Sequence, residues 1–185
     1  MEKNAFSNTL LNRDDCLLVI IDIQERLMPV IYHREIVLEN TIKLVRFTKI
    51  MGLPVIFTEQ EKLGATISDL KNELSGITPI SKLHFNCFYN TAFFDQVRHF
   101  DKKTIVLTGV EAHICVAQTA LAGIQDYNIH VIEDAVSSRT MENKKIAIER
   151  MRQAGVVISS TEMFIYEMLV KAGTDEFKEA LQLVK

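Results

Sequence analysis

Residues 16–24 read CLLVIIDIQ, six apolar residues in unbroken succession before the first charge at Asp22. Strands with one wet face alternate apolar and polar residues. A run without alternation belongs to a strand covered on both faces, as in a parallel sheet with helices above and below it. The run also stops well short of the ~20 apolar residues that a membrane helix requires.

Downstream the period changes. Between Ile36 and Met51, Glu39, Lys43 and Arg46 recur at helical spacing and share one face, and Gly52 and Pro54 close the helix. PVIFT (54–58) reads as a second strand, ATISDLKNEL (65–74) as a short helix or structured loop, PISKLHF (79–85) as a weaker third strand and TAFFDQVRHF (91–100) as a helix. KTIVLTGV (103–110) is a fourth strand of the buried type. In HICVAQTALAGIQDY (113–127), Ile114, Ala117, Leu121 and Ile124 form the apolar face of a helix. A fifth strand, NIHVIED (128–134), precedes a helix in which Ala147, Met151 and Ala154 oppose Lys145, Glu149 and Arg152. GVVIS (155–159) and two helices over 161–170 and 175–183 complete the chain. Six strands alternating with helices specify a three-layer α/β/α domain with a mostly parallel sheet.

At 185 residues, with 48% hydrophobic and 24% charged residues, the chain fits one globular domain spanning 1–185. Seven Gly and three Pro leave no linker, and no internal repeat is visible. A net charge of -3 gives no basic face for nucleic acid, so no nucleic-acid partner is expected. The first fifteen residues lack the apolar centre of a signal peptide, and no membrane partner is expected; the reading is a soluble cytoplasmic protein. Cys16, Cys87 and Cys115 are odd in number with no CxxC pair, which disfavours both a disulfide framework and a cysteine zinc site.

In doubly wound sheets the ligand crevice lies beyond the carboxyl ends of the strands, near the point where strand order reverses. The residues at those ends are Asp22 and Gln24; Thr58, Glu59 and Gln60; Lys82; Gly109 to Cys115; and Asp134. Cys115 stands at the head of a helix, where free N–H groups and the helix dipole favour an anion and lower a thiol's pKa. A free cysteine is nonetheless most often a small buried hydrophobe. Asp22 has a competing reading as a turn or cap residue, and Lys82 as a solvated surface charge. Together the three supply a nucleophile, a base and a cation facing one crevice.

LLVIIDIQERL, SKLHFNCF and TGVEAHICVAQTALAGIQDYNIHVIEDAVSSR, in this order and spacing, resemble the cysteine hydrolase branch of the isochorismatase-like superfamily, with nicotinamidase and N-carbamoylsarcosine amidase among its members. The resemblance runs from about residue 15 to 170. It implies a Rossmann-like sheet in the order 3-2-1-4-5-6 and a catalytic set of Asp22, Lys82 and Cys115. It further implies a cis peptide between Val110 and Glu111, with the N–H groups of Glu111 and Cys115 as an oxyanion hole. The implied reaction is hydrolysis of a small amide or related C–N bond through a thioester, carried out by a homo-oligomer (a dimer, tetramer or larger).

Nicotinamidases carry metal-binding Asp and His residues after the second strand, where this chain has TEQEKLGAT; no metal and no cofactor is expected. Gln24, Leu27, Glu59, Gln60, Phe85 and His113 are the candidate pocket residues, with Met28 and Phe88 as further wall candidates, while Cys16 and Cys87 are read as structural. The competing function is a catalytically silent or redox-sensing binding protein on the same fold, since a reactive thiol is also easily oxidised. A nucleotide-binding domain is disfavoured because no GxGxxG or GxxxxGK[ST] follows a strand.

Overall fold

The structure, a computed structural model, describes residues 10–184. Residues 1–9, on which most of the expectation of a chain without a signal peptide rests, and residue 185, the last of the expected domain, lie outside the described residues. The strands are β1 (Cys16–Ile21), β2 (Val55–Gln60), β3 (Ile80–Lys82), β4 (Thr104–Val110), β5 (Asn128–Ser137) and β6 (Val157–Ser159). The helices are α1 (Arg34–Met51), α2 (Ser68–Glu73), α3 (Thr91–Phe100), α4 (Ala117–Gly123), α5 (Met141–Gln153), α6 (Thr161–Leu169) and α7 (Asp175–Val184). The sheet order is β3-β2-β1-β4-β5-β6 and every pairing is parallel.

The unbroken apolar run of β1 is explained by what covers it. Leu18 and Ile20 point into a core shared with Leu44 and Phe47 of α1 and Phe164 of α6. Leu17, Val19 and Ile21 point into the opposite core, with Phe93 of α3 and Ile148 and Met151 of α5. Each fully buried aliphatic side chain contributes about 1.5–3 kcal/mol. A polar residue anywhere in β1 would therefore meet apolar packing on either face.

Strand order reverses between β1 and β4, and one glycine lets their ends approach. Gly109 pairs with Ile21, and a Cβ placed on it would lie 2.1 Å from the Ile21 carbonyl oxygen. Its φ of +115° is a second reason for glycine at that position. The residues that follow each strand, Asp22 and the 111–115 segment, are thereby brought to one place.

Two expectations need correction. The helix expected over 113–127 begins with a π turn, Ala112–Val116, before α4. A π turn carries one residue more than an α turn, so the buried face shifts. Of the expected face only Ala117 is buried, whereas Ile114, Leu121 and Ile124 are half-buried, and Val116, Thr119, Ala120 and Gly123 are buried instead. In addition, β5 continues past Asp134 to Ser137, with its register against β4 shifted between Leu107 and Gly109. Asp134 consequently turns to α6, where its Oδ1 accepts from the N–H and hydroxyl of Thr161 at 2.8 and 2.9 Å. It takes no part in the crevice over β1 and β4.

Candidate active site

Three strand ends deliver three side chains to one buried point. Asp22 follows β1 with φ +54°, a conformation that aspartate tolerates better than most residues. Its Oδ1 accepts from the Thr58 hydroxyl of β2 at 2.7 Å, and its Oδ2 accepts from Lys82 Nζ of β3 at 2.6 Å. Lys82 Nζ also donates to Gln60 Oε1 at 2.8 Å and lies 3.7 Å from Cys115 Sγ, in the π turn after β4. The Asp22 and Lys82 side chains are both 0% exposed and Cys115 is 6% exposed.

Burying a charge pair costs several kcal/mol per ion unless each charge is hydrogen-bonded by its surroundings. Here Thr58 and Lys82 satisfy the carboxylate, while Asp22, Gln60 and the thiol sulfur surround the ammonium. Burial alone pulls the Lys82 pKa down; the negative charge of its surroundings, the Asp22 carboxylate foremost, outweighs it and leaves the ammonium raised. Cys115 moves the other way from the sequence expectation. Burial and the Asp22 carboxylate push its thiol far above the ordinary range, against the downward pull of Lys82. Desolvation at this depth outweighs the short helix behind the sulfur and favours the thiol over the thiolate.

The candidate pocket residues divide by what they touch. Gln24 is fully buried and spent on the backbone: its Nε2 donates to the Gln60 and Gly64 carbonyls at 3.0 and 2.7 Å, and its Oε1 accepts from the Gln60 N–H at 2.8 Å. Glu59 Oε1 accepts from the N–H and hydroxyl of Thr66, both at 2.7 Å, which holds the 60–66 loop. Gln60 belongs to the charged cluster itself, and its Nε2 donates to the Leu83 carbonyl at 2.8 Å. Leu27 packs half-buried against the α1-side core and Met28 is buried within it. Phe88 stacks on Tyr127 at 5.8 Å as part of the other core. Phe85 is exposed, and His113 Nδ1 lies 2.9 Å from Ser138 Oγ.

The Val110–Glu111 peptide is cis. The Glu111 side chain, largely buried, accepts from Arg139 Nε at 2.7 Å. Cys87 is buried beside the cluster, its thiol pushed up to about 11 by burial, and Cys16 is buried in the α1-side core, pushed up to about 12 for the same reason. Among the described residues no group of three or more His, Cys, Asp or Glu side chains is placed to hold a metal ion. No helix of the structure is long and apolar enough to cross a membrane. Sequence reasoning flagged Thr58 only as a strand-end residue and gave Ser138 and Arg139 no role. The signal for Thr58 was its place at the end of the second strand, which the structure pairs directly with Ile21, the residue before Asp22; none existed for the other two, because the continuation of β5 was not visible.

The family description "Isochorismatase domain" matches residues 16–163. A secreted isochorismatase effector, Isc1, of Phytophthora sojae is 33% identical over 177 residues, covering 91% of this chain and 84% of its own. The solved structure described as MAR1 ribonuclease from Caenorhabditis elegans superposes with a TM-score of 0.89 at 28% identity, covering 95% of this chain and 92% of that one. The YcaC product of Escherichia coli, described as an octameric hydrolase of unknown specificity, superposes with a TM-score of 0.86 at 22% identity, covering 96% and 88%.

Proposed function

This chain belongs to the isochorismatase family, and from that premise we propose that it is a cysteine hydrolase of small amides or related C–N bonds, with Cys115 as nucleophile, Asp22 as base and Lys82 as the cation that orients them. The observation that carries this reading is the convergence of all three on one buried point, with Lys82 Nζ 2.6 Å from Asp22 Oδ2 and 3.7 Å from Cys115 Sγ. A thiol held protonated beside a carboxylate calls for proton transfer as attack occurs. Asp22 takes the thiol proton while sulfur bonds to the carbonyl carbon. Oxygen charge collects on the N–H groups of Glu111 and Cys115. The C–N bond then breaks, Asp22 returns the proton to the departing amine, and water adds to the thioester to release the acid and restore the thiol.

Lys82 keeps the carboxylate in place and offsets the negative charge that passes between sulfur and carboxylate. Gln24 and Glu59 act at one remove, by fixing the end of β2 that carries Gln60 and the loop after it, and Leu27, Phe85 and His113 form the approach to the thiol. An RNA strand is a poor fit: the chain carries a net charge of -3 and the thiol is 6% exposed, where a polyanion needs an open basic surface. Three free cysteines suit a reducing compartment, and we place the protein in the cytoplasm. Exposed Leu83, Phe85 and Tyr89, beside the β3 end, give an apolar surface suited to burial against another copy in a homo-oligomer. The deciding test is ammonia release from a panel of small amides by the unmodified protein and by Cys115→Ala. Release is expected only from the former; release that survives the substitution removes Cys115 from the mechanism.

A further inference from the structure

The three residues that close β5 and follow it knit together the two loops of the site. Ser137 Oγ donates to the Tyr32 carbonyl at 2.6 Å, and the Tyr32 N–H donates to the Ser138 carbonyl at 2.9 Å. These bonds secure the connection that follows Asp22. Ser138, fully buried, also places its hydroxyl 2.9 Å from His113 Nδ1. Arg139 Nε donates to Glu111 Oε1 at 2.7 Å. Residues 111 and 113 belong to the segment that ends at Cys115. Ser138 and Arg139 thus hold it from outside at two points two residues apart, while Ser137 and Ser138 hold the loop after Asp22.

The Arg139–Glu111 pair differs from an ordinary surface ion pair. The Glu111 side chain is 11% exposed and the guanidinium 55% exposed, so a carboxylate withdrawn from water is met by a cation at its open side. Removing the cation leaves a nearly buried carboxylate unpaired, which pulls it toward solvent. The carboxylate and the N–H assigned to the oxyanion sit on the same residue, so a backbone rotation at Glu111 that carries the one outward redirects the other, and the bond from Arg139 opposes that rotation. We propose that Arg139 is a positioning residue. By pinning the Glu111 side chain it aims the Glu111 N–H at the oxygen of the tetrahedral intermediate, without touching substrate itself. This rests on the cysteine hydrolase reading above.

Two reactions of Cys115 separate aim from general integrity, and neither needs the natural substrate. Iodoacetamide forms a carbon–sulfur bond with loss of iodide and the thiol proton, and develops no oxyanion. Acetaldehyde adds the thiol across its C=O to give a thiohemiacetal, the carbon–sulfur bond forming as the proton passes to oxygen, and so draws on the oxyanion donors. For Arg139→Gln the dissociation constant of the acetaldehyde adduct should rise about 10-fold or more, while the alkylation rate of Cys115 stays within about 2-fold of the unmodified protein. Arg139→Lys, which keeps the cation but not the planar fork, should recover part of the loss. A parallel fall in both reactions, or no change in adduct affinity in either variant, overturns the proposal. A Cys115 that neither reagent modifies in the unmodified protein overturns the cysteine hydrolase reading, and the role of Arg139 with it.

Discussion

At Asp22 a left-handed backbone and two short hydrogen bonds meet in one residue. Its carboxylate is the second largest influence holding the Cys115 thiol protonated, after burial itself. Asp22→Asn should therefore lower the pH midpoint for iodoacetamide labelling of Cys115, even though it removes the base on which turnover depends. Labelling followed by mass spectrometry across pH checks this, and a midpoint that rises would detach Asp22 from the thiol. Thr58→Val deletes the 2.7 Å bond to Asp22 Oδ1 and leaves that oxygen buried without a donor. At about 1–3 kcal/mol for an unsatisfied buried group, turnover of the best amide in the panel should fall about 5- to 150-fold. Asp22, Lys82 and Cys115 were legible from the sequence because each stands at a strand end and matches a family segment. The partnership of Gln60 with Lys82 was not, since a surface-facing glutamine after a strand reads the same whether it holds a lysine or meets solvent. The upward direction of the Cys115 shift was not legible, because position at a helix start is visible in sequence and depth of burial is not.

Among the elements, β1 and β4 do the placing and Gly109 permits it. Gly109→Ala combines a Cβ 2.1 Å from the Ile21 oxygen with a φ of +115°. It should destabilise the fold by about 3 kcal/mol or more, measurable as a lower urea midpoint. An unchanged midpoint would show that the two strand ends are free to part. The strands and most helices were readable because continuous apolar runs and helical spacing are local properties. The π turn was not: its extra residue leaves no mark in the spacing of apolar residues, and it carries Cys115 to within 3.7 Å of Lys82 Nζ with Val116 and Ala120 still packed in the core. The extension of β5 escaped for a related reason. Glu133 and Asp134 look like a strand end, and only the shifted register against β4 lets the strand resume through Val136 and Ser137.

For the molecule as a whole, one buried base makes the fold sensitive to acid. His130 lies buried on β5, between β4 and the edge strand β6, its Nδ1 without a hydrogen-bond partner among the described residues, and burial lowers its pKa from 6.5 to about 4. The folded state therefore binds fewer protons than the unfolded state between those values. The contribution of a neutral His130 to stability is complete above pH 6.5 and is lost as pH falls toward about 4, by up to about 3 kcal/mol. His130→Leu should flatten the pH dependence of urea unfolding in that window; an equally steep loss in the variant would assign the acid sensitivity to other groups. The three-layer architecture and its strand order were legible from alternation and family segments, while a lone histidine in NIHVIED carried no mark of its unpartnered state.

The depth of Cys115 also determines which reagents will ever find it. A sulfur 6% exposed and held as a thiol offers little to bulky electrophiles at neutral pH. Chemoproteomic surveys, which rank cysteines by speed of reaction with such probes, would score this protein as having no reactive thiol, since Cys16 and Cys87 are buried too. Compact carbonyl electrophiles, which recruit the neighbouring carboxylate as they react, are the probes by which proteins built this way would be noticed.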